Sequence, residues 1–221
     1  MICYDHNIIC INLDKRKDRW ENILIQKDFL GLEIERFSAI EKQDIRFDRP
    51  FAYGCRLSHF ECLKIAHERN YDKIMIIEDD CVFHKQFKSL IVKYIEDLEQ
   101  IDYKWDILHC GDNYNLDERI TDCLYTPKFH LSNVCYVYNA DNDREFKAGE
   151  IMNENMWERN VSTDILYSLL HKKKIINIVG PKEPLAIQFR GYSDLRKKYR
   201  PMENVHNTKD YLCKLIRENK K

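Results

Sequence analysis

The sequence predicts an α/β domain with a mostly parallel central sheet flanked by helices, and three observations predict it. Isoleucine-rich runs, NIICINL at 7–13 and KIMII at 73–77, have the length and branching of strands buried on both faces. Between such runs lie longer segments whose apolar residues recur at helical spacing, giving strand–helix–strand order. Polar residues gather where the strands stop, at Asn12, at Glu78-Asp79-Asp80 and at Gly111-Asp112-Asn113. In an open α/β sheet those ends are where ligands bind.

Taken in order, the first strand runs into the charged DKRKDRW, and a helix follows over 18–30. Trp20, Ile23, Leu24 and residues 27–29 form its apolar face, and Gly31 is placed to end it. Residues 35–39 read as a short return strand, and the polar stretch through Arg49 and Pro50 as a loop. A second helix begins near Gly54 in GCRLSHFECLKIAHERN, with Leu57, Phe60, Leu63 and Ala66 as its stripe, and leads into the strand that carries EDD. The third helix, 86–98, has its core stripe at Phe87, Leu90, Ile91, Tyr94, Ile95 and Leu98. KWDILHC at 104–110 is a buried strand, a hairpin region follows, and SNVCYVY at 132–138 is another strand. A short helix is expected near 143–148. A further one, capped by Ser162 or Thr163, carries Ile165, Leu166, Leu169 and Leu170. Strands at 174–179 and 184–188, a basic stretch from Arg190 to Arg200 and an amphipathic helix at 207–218 complete the chain.

At 221 residues, with no linker, repeat or low-complexity tract, residues 1–221 read as a single domain. Basic and acidic residues nearly cancel to a formal charge of -1, which argues against nucleic acid as a partner. No apolar run approaches the roughly 18 residues of a membrane span. The nine cysteines are odd in number, form no CxxC pair and follow no signal peptide, so reduced thiols filling core positions in a cytoplasmic setting are expected. There is no GxGxxG or GxxxxGK[ST] after a strand, which removes the commonest dinucleotide and P-loop readings.

The chemistry centres on KIMIIEDDCVF, residues 73–83. Three adjacent carboxylates repel one another unless a cation or fixed donors offset the repulsion, and hard divalent ions take oxygen ligands of this type. A solvated acidic turn is the bland alternative.

INLDKRKDRW, FAYGCRLSHFECLKIA, IIEDDCVF, WDILHCGDN and PLAIQFRGYSDL together, in content and order, resemble glycosyltransferase family 25 over most of 7–196. The family includes lipooligosaccharide galactosyltransferases and collagen hydroxylysine glycosyltransferases. The resemblance implies a GT-A-type Rossmann-like fold and a UDP-sugar donor. It also implies Mn²⁺ or Mg²⁺, and inverting transfer of galactose or glucose to a saccharide or hydroxylated acceptor. Glu78 and Asp80 stand in place of the DxD pair as metal ligands, with Asp80 the direct one, while Asp79 faces ribose or sugar hydroxyls. Asn12 and Leu13 lie where the family binds uracil and ribose, with Arg16 and Arg19 in reach of phosphate or base. A solvated helix face is the alternative for both arginines. Gly54, Ser58 and His59 belong to the donor-side helix, and a structural role is the alternative for His59. Gln188, Ser193 and Asp194 match the block that closes over the donor.

An inverting transfer needs a general base, and Asp164 at the start of the late helix is the candidate, with Asp112 its rival. The helix dipole alone is a sufficient reason for Asp164. Arg190, Arg196, Lys197, Lys198 and Arg200 offset diphosphate charge, or form a solvated tail or a weak peripheral contact with an anionic membrane surface. Residues 112–131 and 139–160 follow no family pattern and are expected to shape the acceptor site. Two other functions fit acidic strand ends: a metal-dependent nucleotidyltransferase or phosphohydrolase, and a non-catalytic nucleotide-sugar-binding module.

Overall fold

In a computed structural model the chain is described over residues 7–45, 50–112, 114–130, 133–140, 161–189, 192–194 and 198–199. The helices expected near 143–148 and over 207–218, and the side chains of the basic stretch 195–200, lie outside the described residues, as does Arg190.

The elements are β1 (Ile8–Asn12), α1 (Lys17–Leu30), β2 (Ile34–Ser38), α2 (Ala52–Glu68), β3 (Lys73–Glu78), β4 (Cys81–Phe83), α3 (Phe87–Gln100), β5 (Ile107–His109), β6 (Tyr114–Arg119), β7 (Leu124–His130), β8 (Cys135–Asn139), α4 (Thr163–Lys172), β9 (Ile178–Pro181), β10 (Ala186–Gln188), β11 (Tyr192–Ser193) and β12 (Lys198–Tyr199). Eight strands form one sheet in the order β2-β1-β3-β8-β5-β9-β7-β6. β1 is parallel to β2 and β3, and β5 to β9, whereas β8 runs against both its neighbours and β7 against β9 and β6. Six of the eight therefore point the same way, with β8 reversed between β3 and β5. This is the α/β arrangement expected from the sequence, a mostly parallel central sheet flanked by helices.

Alternation along the strands divides the core in two. Ile8, Cys10, Met75, Ile77 and Val137 face α1 and α3 with Ile23, Phe87, Ile91, Ile95 and Leu98. Ile9, Ile11, Ile74, Ile76 and Tyr136 face α2 and α4 with Cys62, Leu63, Ala66, Leu166 and Leu170. The seven described cysteines are free, and Cys10, Cys62, Cys81, Cys110 and Cys135 are buried core fillers. No described helix is long and apolar enough to cross a membrane.

Three local differences from the sequence reading have clear causes. The strand stops at the carboxylates as expected, but the chain turns at Asp79 and Asp80 into a second strand that was not: β4 leaves the main sheet to pair antiparallel with β10. α2 buries Ser58, His59, Cys62, Leu63 and Ala66, leaving Leu57 and Phe60 half-exposed. Its inner face is set partly by polar side chains with partners in the sheet.

α1 does not bury Leu24 or Phe29, which are 36% and 38% exposed; it buries Ile23 and Gln26. The Gln26 amide donates to Cys81 O at 3.1 Å and accepts from Phe83 N–H at 2.9 Å, so it pins β4 beneath the helix. Gln26→Ala orphans one buried donor and one buried acceptor and is expected to cost about 2–4 kcal/mol in urea-unfolding free energy. Gly31 ends α1 as expected, at φ 61° in the left-handed region.

Candidate active site

The parallel strands β1 and β3 release their last residues at one edge, where Asp79 N–H donates to Ile11 O at 3.1 Å and draws the acidic turn against the end of β1. A cleft of roughly 140 Å³ opens there. Its lining includes Leu13 and Arg19 after β1, Glu78, Asp79 and Asp80 after β3, and Gln188, Ser193 and Asp194 from the C-terminal block. Ile11, residues 39–42, Lys15, Phe51 and Cys55 complete it.

The acidic turn is held by a buried network. Asn12 Nδ2 donates to Asp79 Oδ2 at 2.8 Å, and Arg19 Nη1 donates to Asp79 Oδ1 at 2.6 Å. The same guanidinium nitrogen lies 3.3 Å from Asp80 Oδ2, which also accepts from Gln188 Nε2 at 3.3 Å. Both oxygens of Asp79 are thus engaged within the protein, and a ribose or sugar hydroxyl has to share them. Asp80 differs: its Oδ1 is buried and has no hydrogen-bond partner among the described residues. Burial first, and then the Glu78 charge, push the Asp80 carboxyl up to about 7, against the pull of Arg19. Burial raises Asp79 as well.

Glu78 is tied to the layer behind the cleft. His59 Nε2 is 3.2 Å from Glu78 Oε1, and Nδ1 is 3.0 Å from the Tyr136 hydroxyl. His59 is fully buried and is not among the lining residues, so it reaches the cleft through Glu78.

Gly54 and Ser58 also stand behind the wall. Ser58 Oγ accepts from Ile40 N–H at 2.8 Å and donates to Gly54 O at 2.9 Å, and Gly54 N–H donates to Lys42 O at 3.1 Å. A Cβ on Gly54 would lie 2.2 Å from Ile40 O, so only glycine lets α2 approach this loop so closely. Arg16 Nη1 donates to Asp194 Oδ2 at 2.5 Å while Nε and Nη2 grip Asp18, a link that ties the C-terminal block to the start of α1.

Neither base candidate lines the cleft. Asp112 Oδ1 accepts from Gln188 N–H at 3.4 Å, which places it behind the Gln188 wall. Asp164 sits in the first turn of α4, where its Oδ1 accepts from Ile165 N–H. Its negative charge is felt at Cys55, whose thiol is pushed up by burial first and then by Glu78 and Asp164. Lys15, Glu41, Lys42, Phe51 and Cys55 were not singled out from the sequence. Residues 41 and 42 lie in an irregular polar segment with no periodicity, but Cys55 stands four residues before His59, the spacing that puts two side chains on one helix face.

Residues 50–137 match the family model described as "Glycosyltransferase family 25 (LPS biosynthesis protein)". Through that segment the chain resembles glycosyltransferase family 25. The match spans α2, the EDD turn and β8, and so contains the acidic wall of the cleft. Among curated relatives, procollagen galactosyltransferase 2 of Mus musculus is 24% identical over 211 residues, covering 86% of this chain and 32% of that protein. The "Inactive glycosyltransferase 25 family member 3" of Homo sapiens is 29% identical over 58 residues, 26% of this chain and 10% of that one. The chain thus spans about a third of the length of the first of these relatives. Among solved structures, a glycosyltransferase involved in the glycosylation of the major capsid of PBCV-1 aligns with a TM-score of 0.49 at 9% identity, over 86% of this chain and 95% of that one.

Proposed function

We propose that this chain is a family 25 glycosyltransferase, an inverting, metal-dependent hexosyltransferase that moves galactose or glucose from a UDP-sugar to a saccharide or a hydroxylated side chain. The observation that carries the reading is Asp80 Oδ1, a buried carboxylate oxygen with no hydrogen-bond partner among the described residues, in a cleft at the carboxyl ends of β1 and β3. A buried carboxylate in that condition fits a hard divalent cation, because a cation offsets both its desolvation and the Glu78 charge beside it. Asp80 would hold the ion with Glu78 in support. When bound, Mn²⁺ or Mg²⁺ supplies Lewis-acid stabilisation of the leaving diphosphate.

The chain's own residues do the rest. Arg19 holds Asp79 and Asp80 in place and brings positive charge to the phosphate side of the cleft, where Lys15 and Lys42 also lie. Ile11, Leu13 and the 39–42 loop form the wall suited to a planar base and its ribose, whereas Asn12, expected there from the sequence, is buried behind it and holds Asp79. Gln188, linked to Asp80, and Asp194, linked to Arg16, draw the C-terminal block over the donor. Asp164 or Asp112, neither of which lines the cleft, takes the proton of the acceptor hydroxyl through a bridging water, so that the oxygen attacks the anomeric carbon opposite the departing diphosphate.

A panel of UDP-sugars with and without Mn²⁺, scored by UDP release, tests this. Release from one hexose donor only, and only with metal, is the expected result. Binding of UDP with no release from any sugar, in folded protein, would replace the proposal by the binding-module reading. The existence of a relative named as inactive keeps that reading in play. Release of pyrophosphate from nucleoside triphosphates would mark a nucleotidyltransferase instead.

A further inference from the structure

Behind the cleft, α2 presents Cys55 and His59 on one face, and Glu78 ends β3 opposite them. One ligand atom of each residue, the Cys55 Sγ, an imidazole nitrogen of His59 and a carboxylate oxygen of Glu78, lies within 4.8 Å of the other two. We propose that these three side chains form a second cation site, selective for Zn²⁺ over Mn²⁺ and Mg²⁺, with its fourth coordination position open to the cleft.

The donor set decides the selectivity. Thiolate, imidazole and carboxylate are the ligands zinc takes, whereas Mg²⁺ and Mn²⁺ favour oxygen alone. In a tetrahedral site with metal–ligand bonds of about 2.0–2.3 Å, neighbouring ligand atoms stand about 3.3–3.6 Å apart. The His59 Nε2 to Glu78 Oε1 separation of 3.2 Å is already close to that spacing. Zinc-bound imidazoles are oriented by a partner on the other ring nitrogen, and Tyr136 fills that place at 3.0 Å from Nδ1. Cys55 and Glu78 both line the cleft, so three protein ligands leave a position that solvent or a ligand reaches.

On binding, the thiol proton of Cys55 leaves to solvent as the sulfur–zinc bond forms. The neutral imidazole changes tautomer, its proton passing from Nε2, which faces Glu78, to Nδ1, where it is donated to the Tyr136 hydroxyl, so that Nε2 offers its lone pair to the ion. About one proton is therefore released per zinc near neutral pH. Because Glu78 also supports the ion proposed at Asp80, zinc here withdraws Glu78 from that ion and inhibits. This last consequence rests on the glycosyltransferase reading, while the binding itself does not.

The test uses the full chain and the metals alone. Co²⁺ replacing zinc in the unmodified protein is expected to show a thiolate-to-cobalt charge-transfer band that Cys55→Ser lacks. Zn²⁺ titrated against a chromophoric chelator is expected to bind about 100-fold more weakly to Cys55→Ser and to His59→Gln, while Asp80→Asn changes affinity by less than about threefold. The Co²⁺ spectrum needs no variant, so a misfolded His59→Gln does not block the answer. Absence of the charge-transfer band, unchanged zinc affinity in Cys55→Ser, or loss of tight zinc binding in Asp80→Asn would overturn the proposal, and none of these outcomes depends on sugar transfer.

Discussion

Arg19→Ala is expected to lower the unfolding free energy by about 3–5 kcal/mol, the cost of leaving buried charge without its partner. One guanidinium nitrogen serves two carboxylates, Asp79 at 2.6 Å and Asp80 at 3.3 Å, whose side chains are only 8% and 11% exposed. Removing it leaves two adjacent acids, with Glu78 beside them, without the guanidinium that bridges them. The deficit has a pH signature. Both carboxyls already lie above the ordinary range, and loss of Arg19 raises them further. The penalty fades as pH falls toward the ordinary carboxyl range and is gone well below pH 4, where the carboxyls are protonated in folded and unfolded chains alike; it is largest above pH 7. Urea unfolding at pH 4.5 and at pH 8 measures the contrast. Asp79→Asn placed on top of Arg19→Ala is expected to recover part of the loss. A cost below about 1 kcal/mol at pH 8 would mean that the turn does not depend on the arginine.

The same residue shows what the sequence made legible and what it did not. The strands and α3 follow from apolar period alone, because their partners in the core are whatever packs against them. Family resemblance brought Asn12, Arg19, the EDD turn and Gln188 onto one page. The pairing of Arg19 with Asp79 and Asp80 nevertheless lay beyond reach, since a run as charged as DKRKDRW looks solvated until the fold turns one side chain inward. Gln26, Ser58 and His59 were missed as inner-face residues for a related reason. Each is polar, and each is buried because a specific acceptor or donor far along the chain satisfies it: Cys81 and Phe83, Ile40, Tyr136 and Glu78. Periodicity sees only transfer to an apolar phase, and pairwise satisfaction at long range leaves no mark in it. The break between β3 and β4 is of the same kind, because β4 is defined by pairing with β10 across a hundred residues. The loop 39–42 was visible only as irregular, although Gly54 and Ser58 in the helix that holds it were recognisable.

Asp80→Asn is expected to separate stability from function in opposite directions. If Asp80 is the direct ligand of the divalent ion, the amide is a poor substitute, and transfer falls by about 10³-fold or more, the scale of losing a main electrostatic stabiliser of a developing charge. Without metal, however, the variant is expected to melt higher than the unmodified protein at pH 8. The carboxyl moves from about 3.9 in the unfolded chain to about 7 in the fold. Between those values the folded form holds more protons, so stability falls as pH rises through the window and stays low above it. Asparagine carries no charge and escapes that fall, while its carbonyl can still accept from Gln188. The gap in melting temperature should therefore be widest above pH 7 and close toward pH 4. Adding Mn²⁺ should raise the melting temperature of the unmodified protein and leave Asp80→Asn unmoved, because an ion that relieves the buried charge stabilises only the chain that has it. A variant that melts lower at pH 8, together with a wild-type protein indifferent to Mn²⁺, would show that the orphaned oxygen is not a stored cost awaiting a cation. The inverse pattern of stability and activity is what a binding site built at the expense of the apo fold produces.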